Sequence, residues 1–501
     1  MRAPRPLPHT LRDQIEALAM AVLLAVGLKY FLVEAYEIPT PSMQPTLMGS
    51  SGAGIYDRIL VNKAIYLLRE PERWDVAVFR FPLNLSQNYV KRIVGMPGDR
   101  LRIRGGNIYQ VIPGDGRPPT YRILRKPEEL QEFLWKRTYP VGNQRGSPFD
   151  TRSGTGSWRR SEDGVIARDN GAGARIAFSP EGGTRDYYWH GYPDHIARAL
   201  MENRPPQKEL HLVGDLRWSL TVVPDAQVER IWLEQTETPE YGKPRRFRLG
   251  VIRGPDGKAT ASLELFEGSP GKLAAHKELE GVRFEQDRPI RLILANVDAR
   301  LLASVDGRDL EPIDYEALPS SLGGLKLHLG CKGGQYTRFL DPLLERDIFY
   351  TNDGVQDEVV EIPEGHYWML GDNTQNSSDG RMWTELEILV DASGRLANPY
   401  SGSGTQLVGN DRRLPALVQG RPPMVDPDEN PVFLERTGQL VFTDYLGEEH
   451  VIRGSRQDFE QGAGVIMRDR RFVPREDLIG RALATFWPAN PLGNFRLGLI
   501  R

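Results

Sequence analysis

The sequence predicts a mainly β protein, and two patterns carry this prediction. Residues 51–110 contain short runs of β-branched and aromatic residues that glycine and proline interrupt at close spacing, which is typical of an all-β fold. Residues 205–350 alternate apolar and polar residues with period two, and Asp256-Gly257 and Asp306-Gly307 supply hairpin turns there. We therefore expect a second β region with the pattern of a β-sandwich.

The alternation in the second region predicts five inward-facing rows of apolar side chains. The rows are Leu216/Trp218/Leu220/Val222, Phe247/Leu249/Val251, Leu292/Leu294, Leu301/Ala303/Val305 and Leu325/Leu327/Leu329. Residues 214–220 and 346–350 resemble strands of concanavalin-like jelly rolls. That resemblance implies an inserted concanavalin-like β-sandwich with a carbohydrate or a protein as candidate ligand, and a purely structural spacer remains the alternative.

Composition limits the classes of partner. The 501 residues are enough for two or three domains, and the formal net charge is −3 with 26% charged residues. Acidic and basic residues are balanced, so no nucleic-acid partner is predicted. The single cysteine, Cys331, excludes an internal disulfide and is expected to be a buried small hydrophobic residue. His190 and His195 lack further ligands nearby, so we predict no metal and no cofactor.

The N-terminus combines basic residues with a long apolar run. Its three arginines are Arg2, Arg5 and Arg12. Residues 17–33 are apolar except for Lys29, a length at the short end for a membrane helix. The run leads directly into the next motif, which favours a retained anchor over a cleavable signal peptide or a buried helix. The basic residues predict that the N-terminus stays cytoplasmic.

A proline-rich stretch follows this run. Residues 36–47 read Tyr-Glu-Ile-Pro-Thr-Pro-Ser-Met-Gln-Pro-Thr-Leu, with three prolines around the single Ser42. Prolines restrict the backbone to extended conformations. A serine held on a stiff segment suits a nucleophile, although an ordinary loop gives the same pattern.

A lysine lies in a second motif. Residues 89–99 read Tyr-Val-Lys-Arg-Ile-Val-Gly-Met-Pro-Gly-Asp, which predicts a strand that runs into a turn. An outward-pointing Lys91 on a half-buried strand is the ordinary interpretation. The functional interpretation is a lysine in apolar surroundings, where desolvation disfavours the charged form and allows the amine to act as a general base.

Together with a third stretch, these motifs resemble the bacterial type I signal peptidase (leader peptidase) family. Residues 38–47 resemble its nucleophile box, residues 89–99 its lysine box, and residues 371–381, Gly-Asp-Asn-Thr-Gln-Asn-Ser-Ser-Asp-Gly-Arg, its third box. The chain departs from the family at Pro41, where glycine is frequent, and at Gly380, where serine is usual. The resemblance implies a membrane-bound serine endopeptidase that removes signal peptides from exported preproteins by cleaving after a small-x-small motif.

The resemblance also implies roles for single residues. Ser42 attacks the scissile carbonyl and Lys91 takes its proton. The Thr40 hydroxyl and the Ser42 backbone N–H form the oxyanion hole. Ser377 orients the lysine amine.

Further residues of the three boxes are expected to support the site. Asp379 and Arg381 form a structural ion pair, whereas Asp372 and Asn373 form turns. Small apolar pockets that accept alanine-like side chains are lined by Ile38, Pro39, Met43, Leu47, Tyr89 and Val90.

Two rival interpretations remain open. The first is a Ser-His-Asp hydrolase of Ser42, His366 and either Asp372 or Asp379, which is disfavoured because His366 lies in a strand pattern. The second is a membrane-tethered binding protein with an inert peptidase core, in which the sandwich carries the function.

The expected fold is thus a signal-peptidase-like antiparallel β catalytic domain on one N-terminal transmembrane helix, with the inserted sandwich. The expected segments are the cytoplasmic N-terminus and transmembrane anchor 1–34, the first catalytic segment 35–125, an irregular insertion 126–204, the sandwich 205–350, the second catalytic segment 351–383, a second insertion 384–470 and the closing strands 471–501 of the catalytic domain. The expected location is the inner membrane, with the catalytic domain outside the cytoplasm. Preprotein signal peptides and the lipid bilayer are the expected partners.

Overall fold

The structure, a computed structural model, describes most of the chain. The described residues are 9–50, 55–114, 116–140, 148–180, 184–187, 189–194, 197–198, 210–254, 258–316, 320–397, 404–410, 433–434, 439–453, 465–487 and 498–501. The chain divides into two compact units. The first comprises residues 1–99, 362–372 and 377–501, and the second comprises residues 100–361 and 373–376.

The first half of the chain contains three helices and eighteen strands within the described residues. In order they are α1 His9–Phe31, β1 Val33–Glu37, β2 Gly49–Ser50, β3 Ile55–Tyr56, β4 Arg58–Asn62, α2 Ile65–Leu68, β5 Val76–Phe81, β6 Asn84–Gly95, β7 Arg100–Arg104, β8 Asn107–Ile112, β9 Thr120–Ile123, α3 Glu128–Leu134, β10 Lys136–Tyr139, β11 Ser157–Ser161, β12 Gly164–Arg168, β13 Ala174–Phe178, β14 Leu216–Val223, β15 Arg230–Pro239, β16 Arg245–Arg253, β17 Ala259–Glu267 and β18 Lys272–Val282.

Among the described residues, the second half adds strands and short 3₁₀ turns. They are β19 Ile290–Val297, β20 Arg300–Val305, β21 Arg308–Asp309, β22 Ile313–Asp314, β23 Leu322–Lys332, β24 Thr337–Arg346, β25 Val360–Glu361, β26 His366–Leu370, β27 Thr384–Val390, β28 Thr405–Asn410, β29 Phe433–Leu434, β30 Gln439–Thr443, β31 Glu449–Arg453, β32 Val465–Asp469, β33 Phe472–Pro474, β34 Leu478–Trp487 and β35 Gly498–Leu499. The mainly β prediction is confirmed.

The first unit is built around one antiparallel sheet of order β1-β4-β34-β5-β6-β26-β33, with β35 beside β34. The strand β34 comes from the end of the chain and lies between two strands from its beginning. Segments far apart in sequence therefore build the sheet together. Their alternating apolar residues form two buried clusters, one around Phe79 and Trp383 and one around Met43 and Val78.

The N-terminal helix α1 precedes this sheet. Its described side chains over residues 13–24 are exposed. Among the described residues, no helix combines the length and the hydropathy needed to cross a membrane, so the predicted anchor is not confirmed.

The second unit contains two large antiparallel sheets that share one core. One has the order β11-β12-β24-β14-β19-β20-β21, and the other β13-β23-β15-β16-β17-β18. The five predicted apolar rows are confirmed, because their residues lie in this core or, for Leu325, pack against it. Asp306 and Gly307 form a turn with positive φ angles, as predicted, and join β20 to β21. The second predicted turn, Asp256-Gly257, lies outside the described residues.

Two expectations about this unit need correction. The sequence places residues 100–125 in the catalytic domain, but β7 pairs with β8 and β25 and so belongs with the second unit. The irregular character expected for 126–204 is wrong for residues 148–178, because β12 and β13 extend the two sandwich sheets. These strands are only five residues long, too short for a clear period in the sequence.

Cys331 and His190, two residues considered from the sequence, are both buried. Cys331 is buried, and burial raises the pKa of its thiol to about 12. His190 is buried, and its Nδ1 accepts a hydrogen bond of 2.9 Å from Arg346 Nε. Burial, Arg346 and Lys136 hold the pKa of His190 well below its ordinary value. His195 lies outside the described residues.

Candidate active site

Ser42 lies in a tight turn between β1 and β2. Thr40 is extended, with φ −111° and ψ 153°, and Pro41–Met43 form one turn of 3₁₀ helix. Proline suits the first position of such a turn, because its fixed φ matches and its missing N–H would have no partner there. Pro41, one of the two departures from the family motif, therefore fits the backbone that presents Ser42.

Lys91 reaches this turn from the sheet. It lies on β6 opposite Ala77, and only 4% of its surface is exposed. Its Nζ is 2.6 Å from Ser42 Oγ, in a hydrogen bond. The Tyr89 ring lies beside the amine, with its centroid 5.7 Å from Nζ. A buried amine in direct contact with a serine hydroxyl is the geometry required of a base and its nucleophile.

Thr40 is close to the same hydroxyl. Its Oγ1 lies 3.4 Å from Ser42 Oγ, within hydrogen-bonding range. The threonine side chain is half-buried and lines the cleft described below. A hydroxyl in this position can donate to an oxyanion that develops on a carbonyl attacked by Ser42.

The third box approaches Ser42 through a glycine. A Cβ on Gly371 would lie 2.5 Å from the Ser42 carbonyl oxygen and 2.2 Å from Ser377 Oγ. Only glycine therefore permits this approach. The Ser377 hydroxyl is buried, and no described residue forms a hydrogen bond with it. The expected hydrogen bond from Ser377 to the Lys91 amine is absent from the described contacts, so this role of Ser377 stays a prediction.

Asp379 and Arg381 fix the conformation of the third box. Two hydrogen bonds of 2.8 Å join their side chains, and both side chains are fully buried. Asp379 also accepts a hydrogen bond of 2.9 Å from the Gly371 N–H. Burial alone would raise the pKa of Asp379, but the charge and hydrogen bonds of Arg381 and the Gly371 N–H outweigh it and lower the pKa. The carboxylate is thus held ionised beside the site.

Sequence reasoning missed Arg92 and misjudged Asp372. Arg92 Nε and Nη2 donate to Asp372 Oδ1 and Oδ2 over 2.8 and 2.6 Å, and neither side chain is exposed. Thr46 Oγ1 also donates to Asp372 Oδ2 over 2.5 Å. Asp372 is therefore a buried ion-pair partner rather than only a turn residue. The signal in the sequence that could have predicted this ion pair was an arginine next to the candidate base and an aspartate in the third box.

A cleft opens beside Ser42 in the first unit. Its lining comprises Tyr36, Glu37, Ile38, Pro39, Thr40, Ser42, Ile59, Val78, Asn88, Tyr89, Val90, Lys91 and Ser378. Four of the six predicted pocket residues belong to it. Met43 and Leu47 do not, because both are fully buried in the core next to Val78. The side chains of Met43 and Leu47 lie in the core instead of the cleft, a direction that the sequence pattern alone does not reveal.

Gly380, the second departure from the family motif, is explained by packing. A Cβ there would lie 2.6 Å from the Arg471 carbonyl oxygen and 2.7 Å from the Trp368 ring. Trp368 is fully buried on β26. A serine cannot fit at this position while Trp368 keeps its place.

His366, the candidate base of the rival triad, does not line the cleft beside Ser42. It begins β26, and its Nδ1 lies 2.9 Å from the Glu364 carbonyl oxygen. It is not part of the cleft lining. Asp372 and Asp379, its candidate partners, are engaged with arginines. The described contacts therefore connect Ser42 to Lys91 instead.

Comparison with known proteins gives a family match and several similar proteins. The family model described as signal peptidase, peptidase S26, matches residues 11–133 and 341–394. A probable signal peptidase I-2 of Synechocystis sp. is 38% identical over 109 residues, 21% of this chain and 47% of that protein. Signal peptidase I of Aquifex aeolicus is 39% identical over 89 residues, 18% of this chain and 32% of its own length. Signal peptidase I of Pseudomonas fluorescens is 41% identical over 93 residues, 16% of this chain and 31% of its own.

These matches leave much of each protein uncovered, since the chain spans less than half the length of these three relatives.

Among solved structures, the carbohydrate binding module CBM66 from Bacillus subtilis is 11% identical, with a TM-score of 0.25, over 41% of this chain and 99% of the module. Congerin II with bound lactose and MES is 7% identical, with a TM-score of 0.20, over 26% of this chain and 91% of that chain. Neither likeness is close enough to support an argument. The family match, in contrast, contains all three boxes, so residues 11–133 and 341–394 are similar to the signal peptidase, peptidase S26, family.

Proposed function

We propose that this chain is a signal peptidase I, a serine endopeptidase that removes signal peptides from exported preproteins with a Ser42–Lys91 dyad. The observation that carries the proposal is the hydrogen bond of 2.6 Å between Lys91 Nζ and Ser42 Oγ, formed between two buried side chains. The signal peptidase relatives support the same activity.

The reaction follows from the contacts of the dyad. A neutral Lys91 amine accepts the proton of Ser42 as Oγ attacks the scissile carbonyl. The Thr40 hydroxyl and the Ser42 N–H stabilise the oxyanion. The protonated amine then donates its proton to the leaving amine, and the ester on Ser42 is hydrolysed by water that Lys91 deprotonates. Burial of the amine favours this cycle, because an apolar environment disfavours the charged form of lysine.

The cleft favours small apolar side chains next to the scissile bond. Its apolar lining includes Ile38, Val78 and Val90, side chains fixed by the sheet and the core. A large substrate side chain would overlap with these rigid groups, whereas alanine fits and buries its methyl group. This lining supports cleavage after a small-x-small motif.

The location of the enzyme is proposed from the sequence. The apolar run over residues 17–33, after three arginines, favours a single membrane anchor with a cytoplasmic N-terminus. Protease added outside spheroplasts should then cut within the exposed segment 150–160, while full protection of that segment would contradict the orientation.

The activity can be tested with the purified full chain and a preprotein that carries an Ala-x-Ala site. We expect one cut after the second alanine, mapped by mass spectrometry, and no cut with the Ser42→Ala variant. Replacing the second alanine by tryptophan should abolish the cut. Normal processing by the Ser42→Ala variant would disprove the proposal.

A further inference from the structure

A polar cleft lies in the second unit, independent of the residues assigned to peptide cleavage. Residues from the ends of strands of both sandwich sheets line it. Glu237 and Arg245 come from β15 and β16 of one sheet, and Asn296 comes from β19 of the other. Asp215, directly before β14, and Tyr315, after β22, complete the set that matters here. We call this the Glu237 cleft.

The side chains of the cleft are held in place by a hydrogen-bond network. Asn296 Nδ2 and Gln235 Nε2 donate to Glu237 Oε1 over 3.1 and 2.7 Å. Tyr315 donates its hydroxyl to Asn296 Oδ1 over 2.7 Å. The Arg245 guanidinium lies over the Tyr315 ring, 4.9 Å from its centroid. The polar groups are thus fixed before any ligand arrives, which reduces the entropy cost of binding.

One carboxyl oxygen in this network lacks a partner. Glu237 is only 6% exposed, yet no described residue forms a hydrogen bond with its Oε2. Glu237 lines the cleft, and this oxygen can exchange a hydrogen bond with a ligand there. Gly214 leaves space beside this carboxyl group, because a Cβ there would lie 2.6 Å from Glu237 Oε1. A ligand hydroxyl in the cleft could bond to Glu237 Oε2.

The carboxyl groups of the cleft carry less negative charge near neutral pH than exposed carboxyl groups do. Burial raises the pKa of Glu237 to about 7, against the lowering effect of the Gln235 hydrogen bond and Arg245. Burial, Asp298 and Asp347 raise the pKa of Asp215 well above its ordinary value. A protonated carboxyl group both donates and accepts hydrogen bonds, as a hydroxyl does. The cleft therefore suits an uncharged ligand with several hydroxyl groups.

Charged ligands fit the surroundings less well. The three carboxylates that lie close together, Asp215, Asp298 and Asp347, already surround Lys126, whose Nζ is 2.7 Å from Asp347 and 3.0 Å from Asp298. A metal cation would have to displace this ammonium group. An anion such as phosphate would meet the carboxyl groups of Asp215 and Glu237, while Arg245 is engaged by Glu267 at 3.3 Å.

We propose that the Glu237 cleft binds a neutral sugar, whose adjacent hydroxyl groups bond to Glu237 Oε2, Asp215 and the Tyr315 hydroxyl. Neighbouring carboxyl, amide and hydroxyl groups match the adjacent hydroxyl groups of a sugar. The sandwich would then hold the enzyme on a glycan-bearing surface, a property separate from peptide cleavage.

The test uses the full chain with methyl glucoside, methyl galactoside and methyl mannoside as probes, observed by saturation-transfer NMR. We expect at least one of them to bind with a Kd on the order of 1 mM. Tyr315→Phe and Glu237→Gln should each weaken binding by about tenfold or more, since each removes a group that bonds to the sugar. Tyr336→Phe is the matched control, because Tyr336 is exposed and lies outside the cleft lining, and it should bind as the wild type does.

Two outcomes would overturn the proposal. The first is that none of the three glycosides binds the folded wild-type chain. The second is that Tyr315→Phe and Glu237→Gln, checked for folding by circular dichroism, bind as tightly as the wild type. If phosphate or Ca²⁺ binds but none of the glycosides does, this result counts as the first outcome. The Ser42→Ala variant should bind sugar normally, so that failure of peptide cleavage and failure of sugar binding are told apart.

Discussion

Arg92 and Asp372 form a fully buried ion pair with two hydrogen bonds, of 2.8 and 2.6 Å. Arg92 directly follows the candidate base Lys91, and Asp372 directly follows Gly371, which touches Ser42. The pair thus connects the strand of the candidate base Lys91 to the turn that touches the candidate nucleophile Ser42. Thr46, in the nucleophile box, donates to the same carboxylate and brings that box into this contact.

Removing the charge of Asp372 should therefore destabilise the first unit. Asp372→Asn removes the buried carboxylate that accepts two hydrogen bonds from the Arg92 guanidinium, which costs about 3–5 kcal/mol. Urea denaturation followed by tryptophan fluorescence measures the loss. Glu361→Gln is the control, because the ion pair of Glu361 with Arg100 is exposed and is expected to contribute about 1 kcal/mol or less. Equal losses in both variants would contradict the importance of the buried pair.

The sequence could predict the Ser42–Lys91 contact but not the residues that support it. Ser42 and Lys91 are recognisable because each lies in a distinctive motif, and the sandwich rows are recognisable because their period is regular. The sequence places Met43 and Leu47 in the pocket, but both are buried in the core, because the direction of a side chain in or after a tight turn depends on the packing around it. Arg92 escapes notice because an arginine on a strand is usually exposed, and its partner Asp372 lies 280 residues away.

Gly380→Ser would restore the residue usual in the family, yet we expect it to destabilise this protein. The added Cβ would lie 2.6 Å from the Arg471 carbonyl and 2.7 Å from the Trp368 ring, so that backbone or ring must move. Overpacking of this kind costs about 1–3 kcal/mol. Gly498→Ser, where nothing lies within 4 Å of the new Cβ, should leave the urea midpoint unchanged. An equally stable Gly380→Ser variant would show that Trp368 can move freely.

The ionisation of Glu237 should make stability depend on pH. Its pKa is about 7 in the folded chain and 4.5 ordinarily, so the folded state binds more protons than the unfolded state between these values. The contribution is complete below pH 4.5, decreases as pH rises, and falls by about 3 kcal/mol by pH 7. Glu237→Gln cannot ionise, so its urea midpoint for the second unit should depend less on pH in this window. Parallel pH profiles of wild type and variant would contradict the assignment.

Separate substitutions of Lys91 and His366 distinguish the two candidate mechanisms. Lys91→Arg keeps a cation beside Ser42 but cannot accept a proton, so cleavage of the Ala-x-Ala preprotein should fall by at least about a hundredfold. His366→Ala should cleave normally, because His366 contacts the Glu364 carbonyl and not Ser42. Wild-type turnover should increase with pH, since only the neutral amine can act as the base. An active Lys91→Arg variant beside an inactive His366→Ala variant would favour the Ser-His-Asp mechanism.

Thr40 offers the finest test of the site, because one hydroxyl can be removed with little change of shape. Thr40 Oγ1 lies 3.4 Å from Ser42 Oγ and lines the cleft. Thr40→Val deletes this donor, and turnover should fall by about a hundredfold or more, while the KM for the preprotein changes little, because the donor is needed chiefly when the oxyanion forms. Thr40→Ser keeps the hydroxyl and should retain most of the turnover. If Thr40→Val instead raised KM and left turnover unchanged, Thr40 would be a substrate-binding residue and the oxyanion would need another donor.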